Sequence, residues 1–452
     1  MEKASQYDIM TKTKVSKLVI RLGIPTTLSM LVTNIYNLAD TAFVGRLGTS
    51  ASGAVGVSFG FMAIIQAFGF MYGQGAGSVI SRLLGKKDKE SASKYASTSF
   101  FISIFTGILL SVLSLIFLKP LIYALGSSDT IYPYAKEYLC YILIAAPFMM
   151  AGFSLNNILR FQGKASLAMI GLMTGAILNI VGDPIFMFVF DMGIGGAGLA
   201  TALSQIISFF ILLSIFLLGK SETVISVKKL TLNIKVLGNI IGTGLPSLIR
   251  QGFASISTIL LNSNAVVFGD AAVAAMSIVN RIVMFVFSIG LGLGQGFQPV
   301  CGFNLGAGKY KRVLKAYNFT ILCSQVLITL FAAIVFILSD NLIQIFRDDP
   351  EVIKIGVFAV RIQCLSLLLH PLCVATNMSL QSTGQKALAA FTALLRNGLC
   401  FIPMILVLPK FFGLLGVQIT QAVADVGAFI IIIPISIKFV NKIRTEEMKK
   451  SE

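Results

Sequence analysis

The stretch Ile24 to Gly48, IPTTLSMLVTNIYNLADTAFVGRLG, decides the fold because it is an apolar run of membrane-spanning length that contains an aspartate. An ionisable side chain at bilayer depth costs at least about 2.5–3.5 kcal/mol on insertion scales, so Asp40 is expected to serve a function. The polar residues that share one helical face, at spacings of three and four, are Thr33, Tyr36, Asn37 and Asp40. We therefore predict a transmembrane helix with one polar face, in which Pro25 provides a place to bend.

The whole chain has the composition of a polytopic membrane protein. Its 452 residues are 56% hydrophobic and 12% charged, against about 25% charged residues in a soluble domain. Apolar runs of about 20 residues are long enough to cross a hydrocarbon core of roughly 30 Å as helices. The twelve predicted spans lie at 18–44, 52–80, 96–118, 137–158, 167–190, 197–218, 238–266, 272–300, 316–338, 355–381, 387–408 and 413–437. The predicted fold class is all-α, with twelve transmembrane helices.

The net charge of +17 follows the topology. Of the 36 Lys and Arg, 26 lie in alternate connections, 6 in the remaining connections and four within helices. By the positive-inside rule, both termini are predicted to be cytoplasmic, with the first span as its own insertion signal in the cell membrane. Basic loops against anionic lipid explain the charge, so we expect no nucleic-acid partner.

Cysteine and histidine usage argues against a metal or redox site. The six cysteines are scattered through apolar segments without metal-ligand spacing, and His370 is the only histidine. We expect no cofactor, no metal centre and no enzymatic activity.

The two halves of the sequence are copies at an offset of 221 residues. Matched pairs include Pro25 with Pro246, Gly48 with Gly269, Gly73 with Gly294, Asn156 with Asn377 and Gly163 with Gly384, and near the end the offset becomes 220. Six spans return the chain to its starting side, so the repeats are parallel and related by a pseudo-two-fold axis along the membrane normal. The predicted organisation is an N-terminal lobe at 1–220, a cytoplasmic linker at 221–237 and a C-terminal lobe at 238–452. Two facing six-helix bundles predict a central cleft.

Three carboxylates lie within predicted spans: Asp40, Asp183 and Asp425. Asp40 and Asp183 fall at similar depth in the outer half of the membrane, and Asn179 lies one helical turn before Asp183. Pro184 follows directly and removes a backbone donor, which leaves a carbonyl free to act as a polar ligand. The alternative for each aspartate is a buried hydrogen bond between helices, and this alternative is strongest for Asp425, which has no second carboxylate.

The repeat provides an internal comparison for these acids. Asp40 corresponds to Leu261, and Asp183 corresponds to Met404. The scaffold is present in both halves while the acidic pair exists in one, which indicates a specialised ion site in the N-terminal half. Such a pair can exchange a coupled proton for another cation. That cation is either an organic molecule or Na⁺ held by oxygens of Asn179 and Thr201, with Met173 in a soft, adaptable wall.

The chain resembles the multidrug and toxic compound extrusion (MATE) family in its prokaryotic branch, over essentially its whole length. The resemblance rests on DTAFVGRLG at 40–48, GQG at 73–75, LRFQGK at 159–164, NIVGDP at 179–184 and GQGFQP at 294–299. It implies a V-shaped, two-lobed antiporter that exports cationic, lipophilic drugs against H⁺ or Na⁺. It also implies ion-site or substrate roles for Tyr36, Asp40, Asn156, Asn179, Asp183 and Thr201, and bending of the first helix at Pro25. We expect the protein to be a monomer.

One departure from the family pattern concerns the seventh span. Members with a C-terminal cation site have a glutamate there, whereas this span has Arg250 and Gln251. Na⁺ coupling through the second lobe is therefore not expected, and Arg250 is either a structural partner or a cavity charge. The main alternative function is a flippase for a lipid-linked precursor within the same broad superfamily. An intramembrane aspartyl protease is disfavoured because Ile180 replaces the first glycine of its G-x-G-D element.

Overall fold

The computed structural model describes residues 5–451, and within that range the chain is helical without β-strands. Its α-helices are α1 (Gln6–Lys12), α2 (Val15–Gly45), α3 (Thr49–Gly85), α4 (Lys89–Ile116), α5 (Leu118–Ala124), α6 (Tyr132–Phe161), α7 (Ala165–Pro184), α8 (Gly193–Leu217), α9 (Ile234–Ala265), α10 (Asp270–Gly306), α11 (Tyr310–Ile337), α12 (Ser339–Phe346), α13 (Pro350–Leu367), α14 (His370–Ser382), α15 (Lys386–Leu394), α16 (Phe401–Phe412) and α17 (Leu414–Ser451). Two π-helical segments, Ile185–Val189 and Leu395–Cys400, follow α7 and α15.

Helices of transmembrane length occupy all twelve predicted positions. Ten helices among the described residues are long and apolar enough to cross a membrane, and α13 with α14 forms an eleventh span bent by 52°. The twelfth, α9, has 32 residues and thus a length of about 48 Å at 1.5 Å per residue. It falls below the hydropathy of the others, so its span is supported by length and by the repeat.

The internal repeat extends to backbone geometry. Helices α3 and α10 both have 37 residues, and α4 and α11 both have 28. Gly163 and Gly384 have φ angles of 79° and 80° in the turn after equivalent helices, a left-handed conformation that glycine adopts without steric cost. These helix lengths and turn conformations therefore agree with the repeat seen in the sequence.

The compact units divide the chain differently from the predicted lobes. One unit contains residues 1–9 and 28–248, and the other contains 10–27 and 249–452. One division lies inside α1, and the other two fall within three residues of a proline, Pro25 in α2 and Pro246 in α9. The two long helices are thus divided beside their prolines. Each of these helices therefore contributes one part to each unit. The division into lobes at 221–237 remains a prediction.

The GQG segments permit close helix crossings within each unit. A Cβ atom at Gly75 would overlap the backbone carbonyl of Ile240, which lies in the first part of α9. At the equivalent position in the other unit, a Cβ at Gly296 would lie 2.5 Å from Cα of Gly23 in α2. Small residues let helix backbones approach closely in membranes, so these motifs have a packing role.

The connection between α8 and α9 is held against the first unit. Glu222 forms ion pairs of 2.8 Å with both Lys89 and Lys164. Ser97 Oγ donates to the carbonyl of Val224 at 3.0 Å. The linker therefore has a defined path along the N-terminal part of α4.

Candidate functional site

Two of the three predicted membrane carboxylates lie in one buried polar cluster in the first unit. Asn179 Nδ2 donates to Asp183 Oδ1 at 3.1 Å and to Thr201 Oγ1 at 3.0 Å. The Tyr138 hydroxyl lies 3.4 Å from Thr201 Oγ1 and donates over the same distance to Asp40 Oδ2. These groups come from α2, α6, α7 and α8, so the cluster joins four helices. We call these five residues the acidic cluster.

Close helix approaches bring these side chains together. A Cβ at Gly198 in α8 would lie 3.0 Å from the carbonyl oxygen of Tyr138 in α6, so glycine allows the two backbones to meet there. Thr201 lies one helical turn after Gly198, which places its hydroxyl near the tyrosine. On α7, Pro184 is the last α-helical residue, and the π-helical segment Ile185–Val189 begins immediately after it. Irregular backbone thus follows Asp183, as expected from the proline.

The acidic cluster holds unsatisfied acceptors. Three buried oxygens of the cluster have no hydrogen-bond partner among the described residues: Asp40 Oδ1, Asp183 Oδ2 and Asn179 Oδ1. Asp40 is 2% exposed and Asp183 is 0% exposed. No Lys, Arg or His among the described residues forms an ion pair with either carboxylate. Buried polar atoms are normally paired, so these oxygens can receive a proton or a cation.

Asp425 in the second unit has the opposite environment. Its Oδ1 accepts from Arg396 Nε at 2.9 Å and from Gln421 Nε2 at 2.8 Å. Its Oδ2 accepts from Ser366 Oγ at 2.8 Å and lies 3.1 Å from His370 Nε2. Ser366 and His370 lie on the two sides of the bend between α13 and α14, and Arg396 lies in a π-helical segment. Asp425 therefore ties together irregular segments of two spans, which supports the structural alternative.

The remaining predicted residues lie at varied places in the first unit. Tyr36 is close enough to Asp40 and Asp183 to interact electrostatically with both. Asn37 and Met173 are partly buried, without a side-chain hydrogen bond of their own among the described residues.

Two further predictions concern Asn156 and Pro25. Asn156 Nδ2 donates to the carbonyl of Ala168 at 2.8 Å, and the repeat residue Asn377 makes the same bond to Ala389. A bond present in both halves favours a scaffold role for Asn156, and its substrate role remains a prediction. Helix α2 continues without interruption past Pro25.

Tyr138 is a member of the acidic cluster that the sequence reasoning missed. It lies near the start of α6, 98 residues after Asp40, and it is fully buried. Its repeat counterpart is Ala359, so a polar residue stands here in the same half as the acids and an apolar residue stands in the other. Extending the comparison of repeats to tyrosines would have found it.

Comparison with known proteins gives a consistent result. The MatE family profile matches residues 25–185 and 246–407, one match in each half. The chain is 28% identical over 426 residues to multidrug export protein MepA of Staphylococcus aureus strain MSSA476, covering 94% of each protein. It is also 28% identical over 427 residues to the MepA of Staphylococcus haemolyticus strain JCSC1435, covering 94% of this chain and 93% of that one.

The solved structures agree with this assignment. A structure titled as the outward-facing conformation of a multidrug resistance MATE family transporter of the MOP superfamily matches with a TM-score of 0.92 and 26% identity. The match covers 98% of this chain and 100% of that one. The predicted fold class and the predicted family are confirmed. The chain belongs to the MatE family and is a multi-span membrane transporter rather than an enzyme.

Proposed function

We propose that this transporter exports cationic, lipophilic organic compounds from the cytoplasm by alternating access, in exchange for protons that bind Asp40 and Asp183. The names of its relatives support drug export, since MepA is described as a multidrug export protein. The observation that carries the proposal is the contrast among the three buried aspartates. Asp425 is paired with Arg396 and contacted by His370, whereas no basic side chain among residues 5–451 is paired with the other two.

The physical argument concerns buried charge. Two carboxylates in one buried cluster repel each other, and a buried charge without a partner costs several kcal/mol. Each carboxyl must therefore be neutralised by a proton, a metal ion or an organic cation. A proton and a cationic substrate that compete for the same carboxylate cannot both be bound there. Combined with alternating access, competition of this kind allows antiport.

The acceptors of the cluster also bear on Na⁺ coupling. An unpaired amide oxygen on Asn179 and one unpaired oxygen on each carboxylate form an all-oxygen set, which suits a hard cation. We propose proton coupling as the main mode and Na⁺ binding at Asp40, Asn179, Asp183 and Thr201 as the alternative. Neither mode needs a cofactor.

The membrane setting is proposed from the distribution of charge. With 26 basic residues in alternate connections, we propose a monomer in the cell membrane with both termini in the cytoplasm. The proposed partners are small organic cations and the lipid bilayer. Pro25 is proposed to allow α2 to bend when Asp40 takes up a proton.

Transport in proteoliposomes tests this proposal. Substrate efflux is measured first under an imposed pH gradient and then under an imposed Na⁺ gradient. We expect Asp40→Asn and Asp183→Asn to abolish efflux driven by the pH gradient while the protein remains folded and monodisperse. The matched control is Asp270→Asn, because that carboxylate is exposed at the start of α10. Wild-type efflux by both cluster variants would overturn the proposal, and efflux driven only by Na⁺ would select the alternative ion.

A further inference from the structure

The second unit contains a cavity of about 170 Å³ that none of the roles above uses. Its apolar walls include Met276, Met284, Phe287, Met378 and Phe401. Its charged lining residues are Arg250, Arg396 and Asp425, and His370 lies among them. Two arginines face a single aspartate, so the fixed charge of the lining is positive. This is the opposite of the acidic cluster in the first unit.

The aspartate in this lining cannot attract a cation. Within residues 5–451, both of its oxygens are occupied by Arg396, Gln421, Ser366 and His370. Its acceptor capacity is therefore used, and its charge is offset by the arginine that contacts it. What remains available in the cavity is donor capacity.

Arg396 offers that capacity in a fixed position. Its Nε is bound to Asp425 at 2.9 Å, and its guanidinium lies 4.5 Å from the centre of the Phe287 ring. The side chain is 23% exposed, and within the described residues no hydrogen bond is made by its two terminal nitrogens. An arginine held in this way loses little conformational freedom when those nitrogens bind a ligand. The second cationic group, Arg250, lies on α9 with Nη1 at 3.4 Å from Asn377 Oδ1.

Comparison of the two halves shows that these basic side chains occur in the second half only. Arg250, His370 and Arg396 correspond to Ser29, Met149 and Gly175. Conversely, Asp40 and Thr201 of the acidic cluster correspond to Leu261 and Gln421, and both of these line the cavity. The cavity thus occupies the equivalent place in the second unit, with donors where the first unit has acceptors.

We propose that the cavity binds amphipathic carboxylates, with the carboxylate at the free edge of Arg396, near Arg250, and the apolar part against the Phe and Met walls. The planar guanidinium fork matches a carboxylate in a bidentate arrangement, and such charge-assisted bonds are the strong ones. A flexible wall of methionine and phenylalanine accepts apolar groups of varied shape. That this ligand is carried across the membrane rests on the proposed export function, whereas its binding does not.

Equilibrium binding tests the site without transport. The chain has no tryptophan, so Met284→Trp in the cavity wall provides a single fluorescent reporter for every variant. The probes are phenylbutyrate, phenylbutanol and phenylbutyl-trimethylammonium, which share an apolar part and differ in the charge of the head group. We expect the carboxylate to bind about tenfold or more tightly than the alcohol, and the cation to bind most weakly.

Variants then assign the preference to the arginines. Two variants are compared: the single variant Arg250→Gln, and the double variant Arg396→Gln with Asp425→Asn. We expect each of them to reduce the preference for carboxylate over alcohol at least threefold. The double variant removes the ion pair as a unit, so no buried carboxylate is left alone. The control is Arg361→Gln, an arginine of the same unit that is paired with Asp340 outside the cavity.

Two outcomes overturn the proposal: equal affinity of the wild-type cavity for carboxylate and alcohol, or a preference that persists in both cavity variants. Failure of a variant to fold, seen by size-exclusion chromatography, leaves the comparison of probes on the wild-type cavity as the deciding measurement. If the protein binds carboxylates but shows no proton-driven efflux, the proposed function is refuted and the proposed binding site is not.

Discussion

Replacing Asp425 with asparagine is the sharpest test of the contrast between the two kinds of buried aspartate. Asparagine has nearly the same shape, but it is uncharged, and an amide nitrogen replaces one acceptor oxygen. The four donors that now face the carboxylate are on Ser366, His370, Arg396 and Gln421. In either orientation, the new amide nitrogen would face two of these groups. The substitution therefore removes the ion pair with Arg396 and disturbs the hydrogen bonds on one side of the former carboxylate.

The size of the effect follows from burial. Removing one partner of a buried ion pair costs about 3–5 kcal/mol because the other charge is left without compensation. The Asp425 side chain is 2% exposed, but Arg396 is 23% exposed and can regain some hydration. We therefore expect a loss of about 3 kcal/mol in the free energy of unfolding. Asp40→Asn and Asp183→Asn remove charges that have no basic partner, so we expect each to lose less than about 1 kcal/mol.

Equilibrium unfolding in mixed detergent micelles, titrated with sodium dodecyl sulfate, measures these differences. Asp270→Asn, at an exposed position, is the control and is expected to stay within about 0.5 kcal/mol of the wild type. Combining Asp425→Asn with Arg396→Gln should be less costly than the sum of the single changes by about 1–3 kcal/mol. The reasoning is refuted if Asp425→Asn is no more destabilising than Asp40→Asn.

Three further predictions concern the first unit. Tyr138→Phe should slow proton-driven efflux roughly fivefold, because about 1 kcal/mol of hydrogen bonding within the acidic cluster is lost. The control is Tyr134→Phe on the exposed start of α6, which should leave the rate unchanged. Equal efflux rates for Tyr138→Phe and the wild type would contradict a role for Tyr138 in the cluster. Gly198→Ala should lower the free energy of unfolding by about 1–3 kcal/mol, because the added Cβ would lie 3.0 Å from the carbonyl oxygen of Tyr138. An unchanged free energy of unfolding would contradict the close approach of α8 to α6. Burial raises the pKa of the Glu222 carboxyl, but hydrogen bonds from Lys164 and Lys89 outweigh burial and hold that pKa below its ordinary value. The linker should therefore resist limited proteolysis above about pH 4.5. It should lose that resistance as the pH falls through the lowered pKa. Glu222→Gln should be cleaved readily at every pH, and protection that does not depend on pH would refute the role of this ion pair.

Much of the architecture could be read from local pattern. Hydropathy marks a membrane helix wherever it lies, because lipid imposes the same requirement on each span separately. Eleven of the twelve spans were therefore predictable from hydropathy, and α9 followed from its length and its place in the repeat. The repeat was equally accessible because glycines such as Gly163 and Gly384 occupy turns that require a positive φ angle. Comparing the halves also showed that Asp40 and Asp183 have no acidic counterpart in the second half, where Leu261 and Met404 stand.

Which helical faces meet was decided only by tertiary packing. The helical period of the sequence placed Asp40 on a polar face of α2, but nothing local to α6 indicated that Tyr138 would reach it from 98 residues away. For Asp425, the sequence left a structural and a functional interpretation open. The partners that support the structural interpretation, Arg396 and His370, come from other spans.

The opening stretch shows the same division. Its sequence alone determined a membrane helix with a proline near one end and an aspartate near the other, because spacing and hydropathy act within a single helix. Only the tertiary structure placed its first part in one compact unit and its remainder in the other, with the division beside Pro25. The tertiary structure also leaves Oδ1 of Asp40 without a hydrogen-bond partner among the described residues. The reason is physical: whether a buried charge is compensated depends on side chains from neighbouring helices, which local sequence does not specify.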